Sequence, residues 1–313
     1  MRLEMLQVAR LAPKLLLDAR DLVADFVRSQ LHETGGFIDR AGNPDLYYTV
    51  FGLECLLALR EDLPREKVAE YLREFGDGEG LDFVHIGCLA RCWAALTPLP
   101  PREGQAEGRV PETPAVFISP LTIDSFKQTL DSRLETYRAK DGGFSQTKND
   151  SHGSVYGCFL AVSAYQDLKI DTPNLDAIAA CVLSQRCADG GFSNGRDLPL
   201  ATTPTTAAAV TLLRVLNQPH DPATGDWLLA RANPAGGFNA IADAPMPDLL
   251  STAVALHALS GMRVGIDSIK DSCLDFIDSL WVNKGSFYGN WSEDMLDVEY
   301  TYYALLALGH LSL

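Results

Sequence analysis

The chain has 313 residues, 47% hydrophobic and 21% charged, which is ample material for a large core. A formal net charge of −15 repels phosphate backbones, so no nucleic-acid partner is expected. No apolar run is long enough to cross a membrane, and Glu4, Arg10, Lys14 and Asp18 interrupt the amino-terminal leucines where a signal-peptide core would lie, so the expected location is cytoplasmic.

In chain order, residues 14–31 predict an amphipathic helix with one charged face, followed by Gly-Gly-Phe at 35–37 and an apolar helix started by Asp45. Residues 65–75 repeat the amphipathic character, and Asp82 starts the next apolar helix without a Gly-Gly-Phe before it. Residues 98–120, rich in Pro, Glu and Gly, predict an exposed insertion. The alternation then resumes. Amphipathic segments at 123–138, 175–187, 222–232 and 269–281 each precede a Gly-Gly-Phe, at 142–144, 190–192 and 236–238, with a degenerate copy at 285–287. Apolar helices follow from Asp150, Thr202, Asp248 and Asp297.

A short polar residue at each start accepts hydrogen bonds from the first free N–H groups, and a carboxylate there also complements the helix dipole. Recurrence at about fifty residues is the mark of stacked supersecondary units. Six amphipathic outer helices alternating with six apolar inner ones predict an all-α, (α/α)6 toroid, with one domain over residues 1–313. The glycine pair is expected to end each outer helix while the Phe packs between the walls. The seven cysteines, most of them in apolar runs, read as reduced buried thiols.

The repeats at 35–52 and 185–208, from Gly-Gly-Phe to the following inner helix, resemble those of protein farnesyl- and geranylgeranyl-transferase β subunits. The wider group includes squalene cyclases and complement-like thioester domains. The resemblance implies a helical-repeat partner subunit, an isoprenoid diphosphate substrate, and a zinc held by an Asp, a Cys two residues later and a His. Those positions are Asp248, Leu250 and Tyr300 here, so zinc is not expected. The Asn-Gly-Arg-x-x-Lys stretch that grips the diphosphate reads Asn239-Ala-Ile-Ala-Asp-Ala. Neither the Asp-x-Asp-Asp acid of the cyclases nor the Gly-Cys-Gly-Glu-Gln of the thioester domains occurs.

Candidate chemistry lies at the loops before the inner helices. The acids Glu293, Asp294, Asp297 and Glu299 could supply a general acid or hold Mg²⁺ for a diphosphate. Lys148 and Arg196, with Arg40, could meet an anionic head beside the helix N-termini. Tyr48, His152, Tyr300 and Trp291 are placed to line the mouth, and Tyr47, Tyr156, Tyr302 and Tyr303 join them in a tyrosine-rich lumen. Asp82, His85, Cys88 and Cys92 share one helix face, but one straight helix cannot wrap four ligands around an ion. The expected function is prenyltransferase-like binding of an isoprenoid or similar elongated apolar ligand without zinc. Two alternatives stand beside it, a non-catalytic scaffold of the same fold and a terpenoid cyclase or lyase using the acids of the sixth inner helix.

Overall fold

A computed structural model describes residues 1–97, 120–197 and 199–313; apart from Pro120, the expected insertion lies outside the described residues. The chain opens with two short helices, α1 (Arg2–Ala9) and α2 (Pro13–Leu16), then alternates outer and inner helices. The pairs are α3 (Ala19–Ser29) with α4 (Leu46–Leu59), α5 (Arg65–Arg73) with α6 (Phe83–Leu96), α7 (Pro120–Glu135) with α8 (Val155–Leu168), α9 (Leu175–Leu183) with α10 (Thr203–Val215), α11 (Pro222–Leu229) with α12 (Leu249–Gly261), and α13 (Lys270–Ser279) with α14 (Val298–Leu311). Each inner helix packs on the next, and α14 returns to α4, so the inner wall closes. This is the expected (α/α)6 toroid.

Burial follows the difference in composition. The inner helices are buried on nearly all sides, as in α14, where Val298, Thr301, Tyr302 and residues 304–311 are shielded. Outer helix α3 buries one stripe, Val23, Ala24, Phe26 and Val27. The helix predicted over 14–31 breaks at Leu17, whose φ is 48°. The preceding helix α1, not foreseen in the sequence, packs against α4 and α14 at the far end of the ring.

Asp45, Asp82, Thr202, Asp248 and Asp297 all cap as expected, each side chain accepting the N–H three residues on. The third inner helix differs. Its cap is Ser154, and Asp150 instead accepts from Ser145 and from the Ser151 N–H. The register is fixed by the preceding Phe: Ser154 N donates to the Phe144 carbonyl at 2.8 Å, as Asp248 N does to Phe238 at 3.1 Å. The Phe of the repeat also donates its own N–H to the inner helix, Phe37 to Thr49, Phe192 to Thr206 and Phe238 to Thr252, each at 2.9 Å.

The Gly-Gly pair does not end the outer helix. α3 stops at Ser29, and Gly35 sits in a tight turn, with Gly35 N donating to the His32 carbonyl and His32 N to that of Gly36. The turn lets Phe37 bridge back to Leu31 as an antiparallel pair. Short ladders extend two of these turns, β1 (Phe37–Ile38) with β2 (Pro44–Asp45) and β3 (Trp281–Val282) with β4 (Ser286–Phe287). The first glycine is required twice over. Gly35 has φ +102°, and a Cβ there would lie 2.1 Å from the Lys67 carbonyl of the next outer helix. Gly285 presses on the Leu22 carbonyl in the same way, which carries the repeat contact across the seam from the last hairpin to the first.

Candidate functional site

The six inner helices run in the same sense, with heads meeting at Tyr47 and Glu299 (2.6 Å) and tails at His257 and His310 (3.1 Å). They enclose a cavity of about 370 Å³. Helical geometry brings one residue per turn to the lumen, so the lining recurs at fixed distances from each cap. Two residues past the caps lie Tyr47, Val84, Tyr156, Pro204, Leu250 and Glu299. A turn deeper the wall is apolar, with Phe51, Cys88, Phe159, Ala208, Val254 and Tyr303 among its members. Nine residues past the caps the lining becomes polar: Glu54, Arg91, Ser163, Thr211 and His257. Arg2 and Met5 of α1 complete that end.

At the mouth, Arg40 organises the acids. Its Nε donates to Asp297 Oδ2 at 2.8 Å and its Nη1 to Glu293 Oε2 at 3.0 Å, and its guanidinium lies 5.4 Å from the centre of the Tyr300 ring. Burial opposes the Arg40 charge, but Asp297 and Glu293 outweigh it and hold its pKa above the usual value. Asp297 is also the cap of α14 and is 3% exposed, so its oxygens are committed. Asp294 is exposed. Of the four candidate acids only Glu299 lines the cavity; burial pushes its carboxyl above the usual range while the hydrogen bond from Tyr47 pulls it back. Tyr48 and Tyr300 flank this mouth without lining the cavity, and burial raises Tyr48 to about 12. Trp291 is exposed, its indole N–H held by Ser279.

The remaining candidates lie elsewhere. Lys148 stacks on Tyr137 at 5.1 Å, and Arg196 reaches Ser184 at 3.1 Å; both are exposed and neither lines the cavity. His152 is exposed beside Asp141. His85 lies between Asp45 and Asp82, and the bond to Asp45 chiefly raises its pKa to about 9 despite burial. Cys92 points its Sγ at the Leu46 carbonyl, and burial lifts Cys88 to about 12, so this set is a structural pairing and two buried thiols.

The positions that the resemblance assigns to zinc do not fit the ion. Asp248 accepts from Ser251 N and Oγ at 2.7 Å each, Leu250 has no donor atom, and Tyr300 lies beneath Arg40. Among the described residues no three His, Cys, Asp or Glu side chains are grouped to hold a metal, and no helix is long and apolar enough to cross a membrane.

The deep polar layer was missed in the sequence. Arg2 forks between Glu54 Oε1 (3.1 Å) and Asp167 Oδ1 (2.9 Å), and Arg91 Nε donates to Asp167 Oδ2 at 3.1 Å. Burial pushes the Glu54 carboxyl up against the pull of Arg2 and Arg91. Burial, reinforced by Arg214, holds His257 down at about 4, so its imidazole is neutral. The signal was available: a lone Glu54 and a lone Arg91 interrupt apolar helices at the same distance from their caps.

The model of the prenyltransferase alpha-alpha toroid domain matches residues 3–94, 117–240 and 206–312. No curated protein matches the chain. Among solved structures, the type II terpene cyclase MstE from Scytonema is similar at 13% identity and a TM-score of 0.58, covering 95% of this chain and 97% of that one. A variant of that cyclase, in complex with its substrate geranylgeranyl dihydroxybenzoate, gives the same identity and TM-score with 96% and 97% covered. Protein geranylgeranyltransferase-I from Candida albicans, complexed with GGPP, shares 17% identity over 96% of this chain and 80% of that one, at a TM-score of 0.44. At these identities the likeness is one of fold. The family model, matched along nearly the whole sequence, places this chain in the prenyltransferase alpha-alpha toroid domain family.

Proposed function

We propose that the protein takes an elongated apolar ligand of isoprenoid type into the central cavity, without a zinc site. The observation that carries this reading is the cavity wall, predominantly aromatic and aliphatic for two helical turns below the mouth, with Glu299 its one carboxyl there, and contributed by all six inner helices. Its volume of about 370 Å³ lies in the lower part of the range of about 300–1,000 Å³ usual for small-molecule sites. Burying apolar ligand surface there yields about 25 cal/mol per Å², and no charged group of the middle wall opposes it. The isoprenoid substrate of the similarly folded cyclase is consistent with the same use of the lumen.

A second reading, that the ligand is turned over, is favoured by Glu299. This is a carboxyl on the cavity wall whose pKa is raised chiefly by burial, the state in which an acid can deliver a proton to a ligand double bond. Titrating a prenyl alcohol or a prenyl diphosphate into wild type and Ala208→Phe tests the binding reading. The larger side chain fills the lumen and should abolish binding, whereas equal affinity places the ligand elsewhere. Product analysis with Glu299→Gln tests the second reading: turnover should disappear while binding remains.

A further inference from the structure

The lumen is not uniformly apolar, and its deep end carries polar groups with nothing to bind. Glu54 on α4, Ser163 on α8 and His257 on α12 are 2%, 4% and 4% exposed, and all three line the cavity. Glu54 Oε2, Ser163 Oγ and His257 Nε2 have no hydrogen-bond partner among the described residues. Leaving one such atom unpaired costs a folded protein roughly 1–3 kcal/mol, so three on residues that line one cavity are a strong departure from normal satisfaction. They also share a register. Each lies nine residues past its helix cap, Asp45, Ser154 and Asp248 respectively, on helices that run in the same sense. At about 1.5 Å per residue this is one layer roughly 13 Å below the mouth.

We propose that this layer is a binding subsite for the hydroxyl end of a long apolar alcohol, which enters the cavity polar end first. The inference rests on the reading of the cavity as an apolar-ligand site and adds the ligand's orientation and head group. A hydroxyl donates once and accepts twice, so it can pair with a carboxyl oxygen, a serine hydroxyl and an imidazole nitrogen as long as no more than one of the three is an acceptor. That is the state in which Glu54 is protonated or His257 carries its proton on Nε2. A diphosphate does not fit. Arg2 and Arg91 are the cations of this layer, and the carboxylates of Glu54 and Asp167 paired with them cancel their charge, leaving no net attraction for a dianionic head. An ammonium meets the two guanidiniums as well as the two carboxylates already paired with them and so gains no net attraction, and a bare hydrocarbon leaves all three atoms unpaired.

Four probes decide the matter: farnesol, the hydrocarbon with hydrogen in place of its hydroxyl, the corresponding amine, and farnesyl diphosphate. Each is measured by equilibrium binding to wild type, Ser163→Ala and Ala208→Phe. Ser163 Oγ makes no bond in the fold, so its removal should leave the unfolding midpoint unchanged. Farnesol should bind wild type more tightly than the other three. Ser163→Ala should weaken farnesol about two- to tenfold, the worth of one net hydrogen bond, and leave the hydrocarbon unchanged. Equal binding of alcohol and hydrocarbon, both lost in Ala208→Phe, would overturn the subsite while keeping the cavity reading. Tighter binding of the diphosphate or amine, indifferent to Ser163→Ala, would also overturn it. Binding of no probe, or binding unaffected by Ala208→Phe, would remove the cavity reading itself.

Discussion

Arg40, in the loop of the first hairpin, donates its Nε to the Asp297 carboxylate at 2.8 Å, joining residues 257 positions apart across the seam where the toroid closes. The same carboxylate caps α14 through the Tyr300 N–H at 2.8 Å. One buried acid therefore starts the last inner helix and ties it to the first hairpin. Replacing Arg40 with Ala leaves Asp297 buried without its cation. The expected loss is about 2–3 kcal/mol of unfolding free energy, measured by urea denaturation. Arg40→Lys should recover only part of it, because a single ammonium cannot reproduce the fork to Asp297 and Glu293.

The turn glycines provide a matched comparison. Gly35 and Gly42 both have positive φ, +102° and +86°, but a Cβ at Gly35 would meet the Lys67 carbonyl at 2.1 Å whereas one at Gly42 would meet open space. Gly42→Ala should cost about 1–2 kcal/mol for backbone conformation alone. Gly35→Ala should cost clearly more, because outer helix α5 must also move. Similar midpoints for the two variants would show that the hairpins are not held by this close approach.

His85 should make stability fall with rising pH. Its native pKa is raised to about 9 from 6.5, chiefly by Asp45 and then by Asp82, so the folded state holds a proton that the unfolded state releases first. The contribution is whole below pH 6.5 and is lost as the pH climbs through about 9. Asp45, held below the usual carboxylate range despite its burial, carries the opposite limb and loses its contribution on the acid side. Chemical denaturation at pH 6 and at pH 9.5 should show the drop in wild type, and His85→Gln should flatten it.

Asp248 is predicted to act as a cap and nothing more. Asp248→Ala removes the bonds to Ser251 and should cost about 1 kcal/mol. Elemental analysis of the purified protein should find no equivalent of zinc that this substitution releases. One equivalent lost with Asp248 would show that the side chains around Leu250 and Tyr300 rearrange to bind metal.

The toroid is legible in the sequence, because its period, its caps and the contrast between amphipathic and apolar helices are local or repeating properties. Five of the six caps are where a short polar residue before an apolar run puts them. The exception, Ser154 rather than Asp150, was decided by a backbone bond to Phe144 that spacing alone does not reveal. Only the tertiary structure assigned the charges to their partners. Arg40, a candidate for an anionic ligand in the sequence, is spent on Asp297 and Glu293, while Lys148 and Arg196 lie outside the lumen. Glu54, Ser163 and His257 come from different helices, and nothing in any one segment says that they face a common space. Closure of the ring brings them to one depth, because each lies the same nine residues past its cap on helices that run in the same sense.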